Sequence, residues 1–160
     1  MKVYEICERD VATAHLDEPL LAAARRMREE HTGDLVVVEE RDGSAVPVAV
    51  LTDRDIVVGV LAKDGSHLDT LDVGDVVRRD LVTATEDEDV GDVLRRMRSF
   101  GVRRVPVVGD GGVLVGVLSL DDVFAGIVEE LADAASLAAQ QRLRERERRP
   151  LAPVSARCGR

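Results

Sequence analysis

The apolar residues of the chain change their spacing in a regular order, from a helical period to strand-like runs and back. Apolar positions at i, i+3, i+4 and i+7 predict an amphipathic helix over Leu20–Glu30. Two β-branched runs on either side of the polar stretch EERDGSAVP predict a hairpin of strands, Leu35–Glu39 with Val46–Leu51. A short extended piece, Val11–Thr13, precedes this helix, and a second helix is expected just after Thr52.

The same order of elements occurs again in the second half of the chain. The segment TAHLDEPLLAAARRMRE aligns with TATEDEDVGDVLRRMRS at an offset of 70 residues, and VLTDRDIV aligns with VLSLDDVF at an offset of 67. The first copy therefore has three extra residues between these segments, in the turn of its hairpin, where length changes are tolerated. The second copy predicts a strand, a helix and two strands at Leu81–Thr83, Val90–Phe100, Val105–Val108 and Val113–Leu118.

These repeats predict a mixed α/β (α+β) fold. Two β-α-β-β-α units are expected to pack with pseudo-twofold symmetry, because each has a sheet face that the other can cover. Repeat 1 is assigned to residues 1–71 and repeat 2 to residues 72–131, with a short helical turn before each. An extended C-terminal helix is expected over residues 132–149, whereas residues 150–160, with two prolines and little periodicity, are expected to be disordered.

Composition narrows the classes of function. Apolar residues make up 45% of the chain but aromatic residues only 2%, which disfavours the stacking platforms that bind single-stranded nucleic acid. The net charge of −9 disfavours nucleic acid and anionic lipid in general. Residues 137–160 carry seven arginines against two glutamates, so a basic tail follows an acidic body, either as a solvated helix end or as a partner contact. No apolar run is long enough to span a membrane.

The chemistry-bearing side chains predict neither a metal site nor an enzyme. Cys7 and Cys158 lie near opposite ends without metal-ligand spacing, and the N-terminus has no apolar signal region, which together indicate a cytoplasmic protein. Asp53 and Asp55 have no third carboxylate at useful spacing. The three histidines are scattered, and no nucleophile and base are paired along the chain, so no catalysis and no required cofactor are expected.

Both repeats place a hydroxyl residue three positions before an aspartate, at the junction of a strand and a helix. The pairs are Thr52 with Asp55 and Ser119 with Asp122. This spacing is that of a shortened capping box, in which the hydroxyl and the carboxylate satisfy free amides at the start of the helix. An aspartate in the first turn also suits the helix dipole. Spacing alone therefore favours a cap over a binding role.

The duplicated motifs resemble a known family. The stretches VAVLTDRDIV, DVVRRDLVTATEDEDVGDVLRRM, GVRRVPVVGDGG and LVGVLSLDDVF, in this order along the chain, are similar to the tandem CBS domain, or Bateman module, of the stand-alone type, from about Val3 to Leu131. The resemblance implies a regulatory module that binds an adenosine-containing ligand (AMP, ADP, ATP, S-adenosylmethionine or NAD) in clefts between the repeats. It also implies a homodimer that signals to a separate protein. The alternative is a dimerisation or interaction module with vestigial clefts.

The resemblance also assigns roles to the motif residues. By position, Asp55 and Asp122 would take the ribose hydroxyls, with Thr52 and Ser119 near the sugar or the phosphate. Elementary chemistry agrees, because one carboxylate can accept two hydrogen bonds from a vicinal diol. With the resemblance included, each motif is expected to cap its helix and to present its aspartate to a cleft.

Charged residues near the motifs distinguish the two predicted sites. In the resembled family the Arg103–Arg104 position often faces ligand phosphates, so Arg104 beside Asp122 favours an anionic nucleotide there. Repeat 1 has Asp34 at the position of Arg104, which would repel a phosphate unless Arg54 or Arg103 compensates. The Asp122 site is therefore predicted to be the better nucleotide site.

Small residues near the motifs complete the predicted sites. Ala12 and Val82, both in extended segments, are expected to offer backbone groups or an apolar wall to an adenine. Ala49 stands where repeat 2 has Gly116. Glycine is common at this position in the resembled family and permits a close approach, so Ala49 is expected to weaken the repeat 1 site slightly.

Overall fold

A computed structural model describes residues 1–65, 68–78 and 80–148, and the predicted disordered segment 150–160 lies outside them. The two repeats form two three-stranded sheets, which confirms the mixed α/β fold. The strands are β1 Thr13–His15, β2 Asp34–Arg41, β3 Ser44–Thr52, β4 Ala84–Thr85, β5 Arg104–Val108 and β6 Leu114–Ser119. The helices are α1 Val3–Ile6, α2 Leu20–Glu29, α3 (π-helical over Asp55–Leu61, then Ala62–Asp64), α4 Val73–Val76, α5 Val90–Phe100 and α6 Leu120–Arg148, with a 3₁₀ turn at Asp110–Gly112.

The two sheets share one topology. In each, the first strand pairs parallel with the middle strand, and the middle strand pairs antiparallel with the third, in the orders β1-β2-β3 and β4-β5-β6. Each hairpin has a β-bulge at the equivalent place, at Val37/Val38 and at Val107/Val108. The hairpin of repeat 1 turns through Asp42 and Gly43, whose φ angles of 51° and 75° belong to the tight turn that matches strand twist.

The first strand of each repeat begins later than predicted. The sequence predicts strands at Val11–Thr13 and Leu81–Thr83, but β1 and β4 begin two and three residues further along the chain. The Ala12 carbonyl still accepts a hydrogen bond from the Val36 amide at 2.9 Å, so pairing with β2 begins at the end of the predicted segment. The error has a physical cause, because the apolar residues before each strand line a cleft between the repeats instead of a sheet.

The long helices of the repeats follow the apolar period. Helix α5 has the predicted bounds and α2 ends one residue earlier than predicted. Helix α5 ends at Gly101, whose φ of 68° is the left-handed conformation typical of a helix C-terminus. The buried faces of the two helices pack on their own sheets through Leu20, Ala23 and Met27 in α2 and Val90, Val93 and Met97 in α5.

The short helices α1 and α4 are exchanged between the repeats, since each packs into the hydrophobic core of the other repeat. Val3, from the helix that precedes repeat 1, is fully buried in the core of repeat 2, and its amide donates to the Glu88 carbonyl at 3.1 Å. Val73, from the helix that precedes repeat 2, is fully buried in the core of repeat 1, and its amide donates to the Glu18 carbonyl at 2.9 Å. The predicted boundaries at residues 71 and 72 therefore separate the two sequence repeats but not the two hydrophobic cores. Each core includes a short helix that belongs to the other repeat.

The chain divides into two compact units, Met1–Val123 and Phe124–Arg160. The first unit contains both sheets and both cores. The described residues of the second unit all lie in helix α6, which confirms the predicted C-terminal helix. Among the described residues, no helix combines the length and the apolar character needed to cross a membrane.

Gly116 in β6 makes room for the backbone of another segment. A Cβ atom at this position would lie 2.8 Å from the Glu8 carbonyl oxygen and 3.3 Å from the Cys7 Sγ. The segment that approaches Gly116 closely is thus the protein's own backbone at Glu8. Ala49, the equivalent residue of repeat 1, is fully buried in the core of that repeat.

We expect Gly116→Ala to lower the free energy of unfolding by about 1–3 kcal/mol, because the Cβ cannot be placed without moving backbone. Urea denaturation measures the change. Gly59→Ala is the matched control, since a Cβ at Gly59 meets no atom within 4 Å. Equal stabilities of the two variants would contradict this explanation of the glycine.

Each repeat has a partly buried ion pair between the turn before its helix and the helix itself. Glu18 lies 2.7 Å from Arg26, and Glu88 lies 2.7 Å from Arg96. Burial alone would raise the pKa of the Glu88 carboxyl, but the hydrogen bond from the Thr85 amide and the ion pair with Arg96 outweigh it and lower this pKa below its usual value. The Glu88 carboxylate is therefore stabilised in the folded protein.

Because the folded-state pKa of Glu88 is lowered, its stabilising effect is present above the ordinary carboxyl pKa and is lost as the pH falls through the folded value. We expect wild-type protein to lose more stability than Glu88→Gln between about pH 7 and about pH 3. Urea midpoints at both pH values measure the difference. Glu40→Gln, at an exposed strand position, should lose as much as wild type.

Candidate functional site

Thr52 and Asp55 form the predicted cap at the start of the helix that follows β3. The Thr52 amide and hydroxyl donate to Asp55 Oδ2 at 2.9 Å and 2.6 Å. The Asp55 amide in turn donates to Thr52 Oγ1 at 3.1 Å. These reciprocal hydrogen bonds satisfy backbone donors that have no partner inside the helix.

Ser119 and Asp122 repeat this arrangement almost atom for atom after β6. The Ser119 amide and hydroxyl donate to Asp122 Oδ2 at 2.8 Å and 2.6 Å, and the Asp122 amide donates to Ser119 Oγ at 3.1 Å. In both caps only one oxygen of the aspartate is used. Among the described residues Oδ1 of Asp55 and Oδ1 of Asp122 have no hydrogen-bond partner, so each can accept from a ligand.

The two capped aspartates lie in two separate clefts. The Asp122 cleft has a volume of about 840 Å³ and is lined by Asp122 together with Ala12 from repeat 1. The Asp55 cleft has a volume of about 710 Å³ and is lined by Asp55 together with Val82 from repeat 2. Each cleft thus joins the cap of one repeat to the extended segment of the other, and each has the size of a small-molecule site.

All nine predicted site residues line at least one of these clefts. Thr52, Arg54, Asp55, Val82 and Arg103 line the Asp55 cleft, Ala12, Ser119 and Asp122 line the Asp122 cleft, and Arg104 lines both. The prediction omitted Arg78 and Phe100 in the Asp55 cleft and Glu8, Asp10 and Glu30 in the Asp122 cleft. The 70-residue offset places Glu8 over Arg78 and Glu30 over Phe100, so these are equivalent positions of the two repeats, but their spacing alone did not mark them as cleft residues.

Arg104 and Asp34 form an ion pair with each other. They occupy equivalent positions in the two repeats, since Asp34 pairs with Thr52 across its hairpin and Arg104 pairs with Ser119 across the other. The Asp34 side chain is 11% exposed and the Arg104 side chain 36%, and both residues line both clefts. Arg104 is therefore not a free cation for the Asp122 cleft, and the electrostatic reason for ranking that site first does not hold.

The remaining arginines of the two clefts differ in whether they are already paired. In the Asp55 cleft, the side chains of Arg54, Arg78 and Arg103 make no hydrogen bond or ion pair within the described residues. In the Asp122 cleft, Arg26 contacts Glu18 at 2.7 Å and donates to the Thr13 carbonyl. Positive charge that a ligand can use is consequently concentrated in the Asp55 cleft.

The Asp122 cleft is strongly acidic. Five carboxylates and two arginines line it, against five carboxylates and four arginines in the Asp55 cleft. Glu8 in the Asp122 cleft accepts hydrogen bonds from the amides of Arg9 and Asp10 at 2.8 Å and 3.0 Å. These bonds lower the pKa of Glu8, which keeps it ionised. The equivalent position in the Asp55 cleft is occupied by Arg78, a cation.

The Asp55 cleft also has an apolar wall. Leu81, Val82 and Val102 line it beside Phe100, an aromatic side chain that is 62% exposed at the end of α5. An exposed aromatic ring beside a cleft offers a surface on which a planar base can stack. The equivalent position in the Asp122 cleft is Glu30, which offers no such surface.

The described residues of the clefts show no arrangement typical of a metal site. Over residues 1–65, 68–78 and 80–148, no three His, Cys, Asp or Glu side chains are grouped in a way that could hold a metal ion. The described groups of the clefts offer hydrogen bonding, charge pairing and stacking to a ligand.

Comparison with known proteins identifies the family. The model of the CBS domain matches residues 3–61 and again residues 73–129, so the chain belongs to the CBS domain family and contains a tandem pair. An uncharacterised protein of Methanopyrus kandleri is 32% identical over 124 residues, which are 78% of this chain and 61% of that protein. The matched part of the chain therefore spans less than two thirds of that relative.

Solved structures share the fold. A CBS domain pair in complex with 5′-methylthioadenosine and S-adenosyl-L-methionine matches with a TM-score of 0.69 and 25% identity, covering 81% of this chain and 98% of that one. Hypoxic Response Protein I, solved with two coordinated zinc ions, matches with a TM-score of 0.67 and 30% identity, covering 78% of this chain and 98% of that one. The fold of this chain is therefore similar to that of a solved CBS domain pair over most of its length.

Proposed function

We propose that this protein binds an adenosine-containing ligand in the Asp55 cleft and reports its presence to a partner protein on another chain. The observation that carries the proposal is the combination, in one cleft of about 710 Å³, of the open Asp55 Oδ1 with three arginines that have no partner within the described residues. A nucleoside phosphate needs an acceptor for its ribose hydroxyls and cations for its phosphates. The adenosyl ligands of the solved CBS pair support this class of ligand.

The residues of the cleft suggest how such a ligand is held. Asp55 Oδ1 accepts from the ribose hydroxyls while Oδ2 stays in the helix cap. The adenine lies against Val82 and Phe100, and the phosphates face Arg78 and Arg103. In this arrangement the ligand contacts both repeats at once, because Asp55 comes from repeat 1 and the other four residues come from repeat 2.

A ligand that contacts both repeats can act as a signal without any catalysis. The ligand binds most tightly to conformations in which both repeats contact it. It therefore shifts the population toward these conformations, by an amount set by the difference between its affinities for them and for the others. A partner that contacts the outer surface of the repeats then binds the occupied and empty forms differently. No catalytic step and no required cofactor enter this function.

A second copy of the chain is the partner proposed for helix α6. Phe124, Ile127, Val128 and Leu131 follow the i, i+3, i+4, i+7 spacing of one helix face, and each is at least 39% exposed in the single chain. A contiguous apolar stripe of this kind is typical of a protein–protein contact. Sedimentation equilibrium tests the homodimer, and a monomer at all concentrations would refute it.

A binding panel tests the proposed function. Thermal and chemical stability are measured with AMP, ADP, ATP, S-adenosylmethionine and NADH, because a ligand present at a hundredfold excess over its Kd stabilises the protein by about 2.7 kcal/mol. Asp55→Asn should remove most of the stabilisation while leaving an acceptor for the helix cap, and Asp122→Asn should remove less. If no compound stabilises the protein, the clefts are vestigial and the protein is an interaction module.

A further inference from the structure

We propose that Asp34 confines anionic adenine nucleotides to the Asp55 cleft, so that each chain binds one of them and not two. Asp34 does so by keeping Arg104 in an ion pair at the junction of the two clefts. This inference rests on the proposed function, since it concerns which cleft the ligand enters. Asp34 is in this sense a specificity-determining residue.

The first step is that Arg104 is, among the described residues, the only arginine or lysine that lines both clefts. It begins β5 opposite Ser119, close to the cap of the Asp122 cleft, and its guanidinium contacts Asp34, which begins β2 opposite Thr52. One guanidinium therefore lies between two caps that are equivalent in sequence. The guanidinium cannot donate to a phosphate in the Asp122 cleft and to Asp34 at the same time unless its N–H groups are divided between the two anions.

The second step is the state of Asp34 if Arg104 leaves. The Asp34 side chain is 11% exposed, and its remaining side-chain hydrogen bond is a long one of 3.4 Å from the Thr32 hydroxyl. Separating a mostly buried carboxylate from its cation is strongly unfavourable, because the charge is left with little solvent and one long hydrogen bond. An anion that recruits Arg104 into the Asp122 cleft must overcome this penalty.

The third step is that, among the described residues, the Asp122 cleft has no free arginine or lysine that could replace Arg104. Arg26, its other arginine, is already paired with Glu18 and with the Thr13 carbonyl. Glu8, which is held ionised, and Glu30 add negative charge to the same cleft. A phosphate entering there meets repulsion, whereas a phosphate in the Asp55 cleft has three arginines within the described residues and leaves the Arg104 pair intact.

The experiment is isothermal titration of the full chain with ATP as the probe. Wild-type protein should bind one ATP per chain. Asp34→Asn retains an acceptor for the Thr32 hydroxyl but releases Arg104, and we expect a second binding event that brings the stoichiometry to two per chain. Combining Asp34→Asn with Asp122→Asn, or with Arg104→Gln, should remove the second event and restore one.

Glu30→Gln is the matched control, because it also removes one negative charge from the Asp122 cleft but leaves the ion pair in place. It should remain at one ATP per chain. Two ATP bound to wild type with similar affinity, or no second event in Asp34→Asn, would overturn the role of Asp34 while leaving the proposed function intact. Absence of binding by every adenosine compound in wild type and in Asp34→Asn would overturn both.

Discussion

Leu118→Ala is expected to lower the free energy of unfolding by about 2–5 kcal/mol. Leu118 lies in β6 and is fully buried in the core of repeat 2, so truncation removes apolar contacts and leaves a cavity. Its equivalent in repeat 1, Leu51, is also fully buried and should give a loss of similar size. Urea denaturation followed by circular dichroism measures both.

The two truncations should also share one unfolding transition. Helix α1 is part of the core of repeat 2 and α4 is part of the core of repeat 1, so neither core is complete without chain from the other copy. Leu143→Ala, at a position 60% exposed in α6, is the control and should change stability by less than about 0.5 kcal/mol. Two separate transitions, with each variant shifting only one, would contradict the exchange of helices.

Arg103→Glu is expected to weaken nucleotide binding by about ten- to a hundredfold, the largest effect expected on ligand affinity. Arg103 lines the Asp55 cleft and has no side-chain partner within the described residues. Removing a charge-assisted hydrogen bond of about 1.5–3 kcal/mol corresponds to a loss of roughly this size, and the new carboxylate adds repulsion. Titration calorimetry with ATP at constant ionic strength measures it.

Arg25→Glu is the control for Arg103→Glu, because it changes the net charge equally at an exposed position on α2 that lines neither cleft. Its affinity for ATP should stay close to that of wild type. An equal loss in both variants would mean that overall charge, and not the Asp55 cleft, controls binding. A loss that disappears at high salt would also indicate a long-range effect rather than a contact.

Local sequence predicted the parts of the site that depend on local geometry. The spacing of Thr52 and Asp55 indicated a capping box, and the hydrogen bonds of both caps have that form. The bounds of α5 followed from the period of its apolar residues. Such features are decided by residues three or four apart, which is the range over which sequence patterns carry information.

The ranking of the two sites depended on contacts between distant residues, and there the sequence was insufficient. Arg104 stands near Ser119 in the hairpin and was assigned to a phosphate at Asp122. Its guanidinium instead pairs with Asp34, 70 positions earlier in the chain. Residues at equivalent positions of two repeats meet only when the repeats pack around a pseudo-twofold axis, and a repeat alignment does not show that they touch.

The sequence by itself determined the duplicated β-α-β-β-α order and the two caps, because each rests on short-range spacing that appears twice. The family resemblance of its motifs is confirmed by the match of the CBS domain model to both copies. The tertiary structure alone decided which core each short helix completes and which arginines have no partner among the described residues. The physical reason is the same in both cases. Burial and charge pairing are properties of surfaces brought together by packing, and a residue's partner there is fixed by space and not by position along the chain.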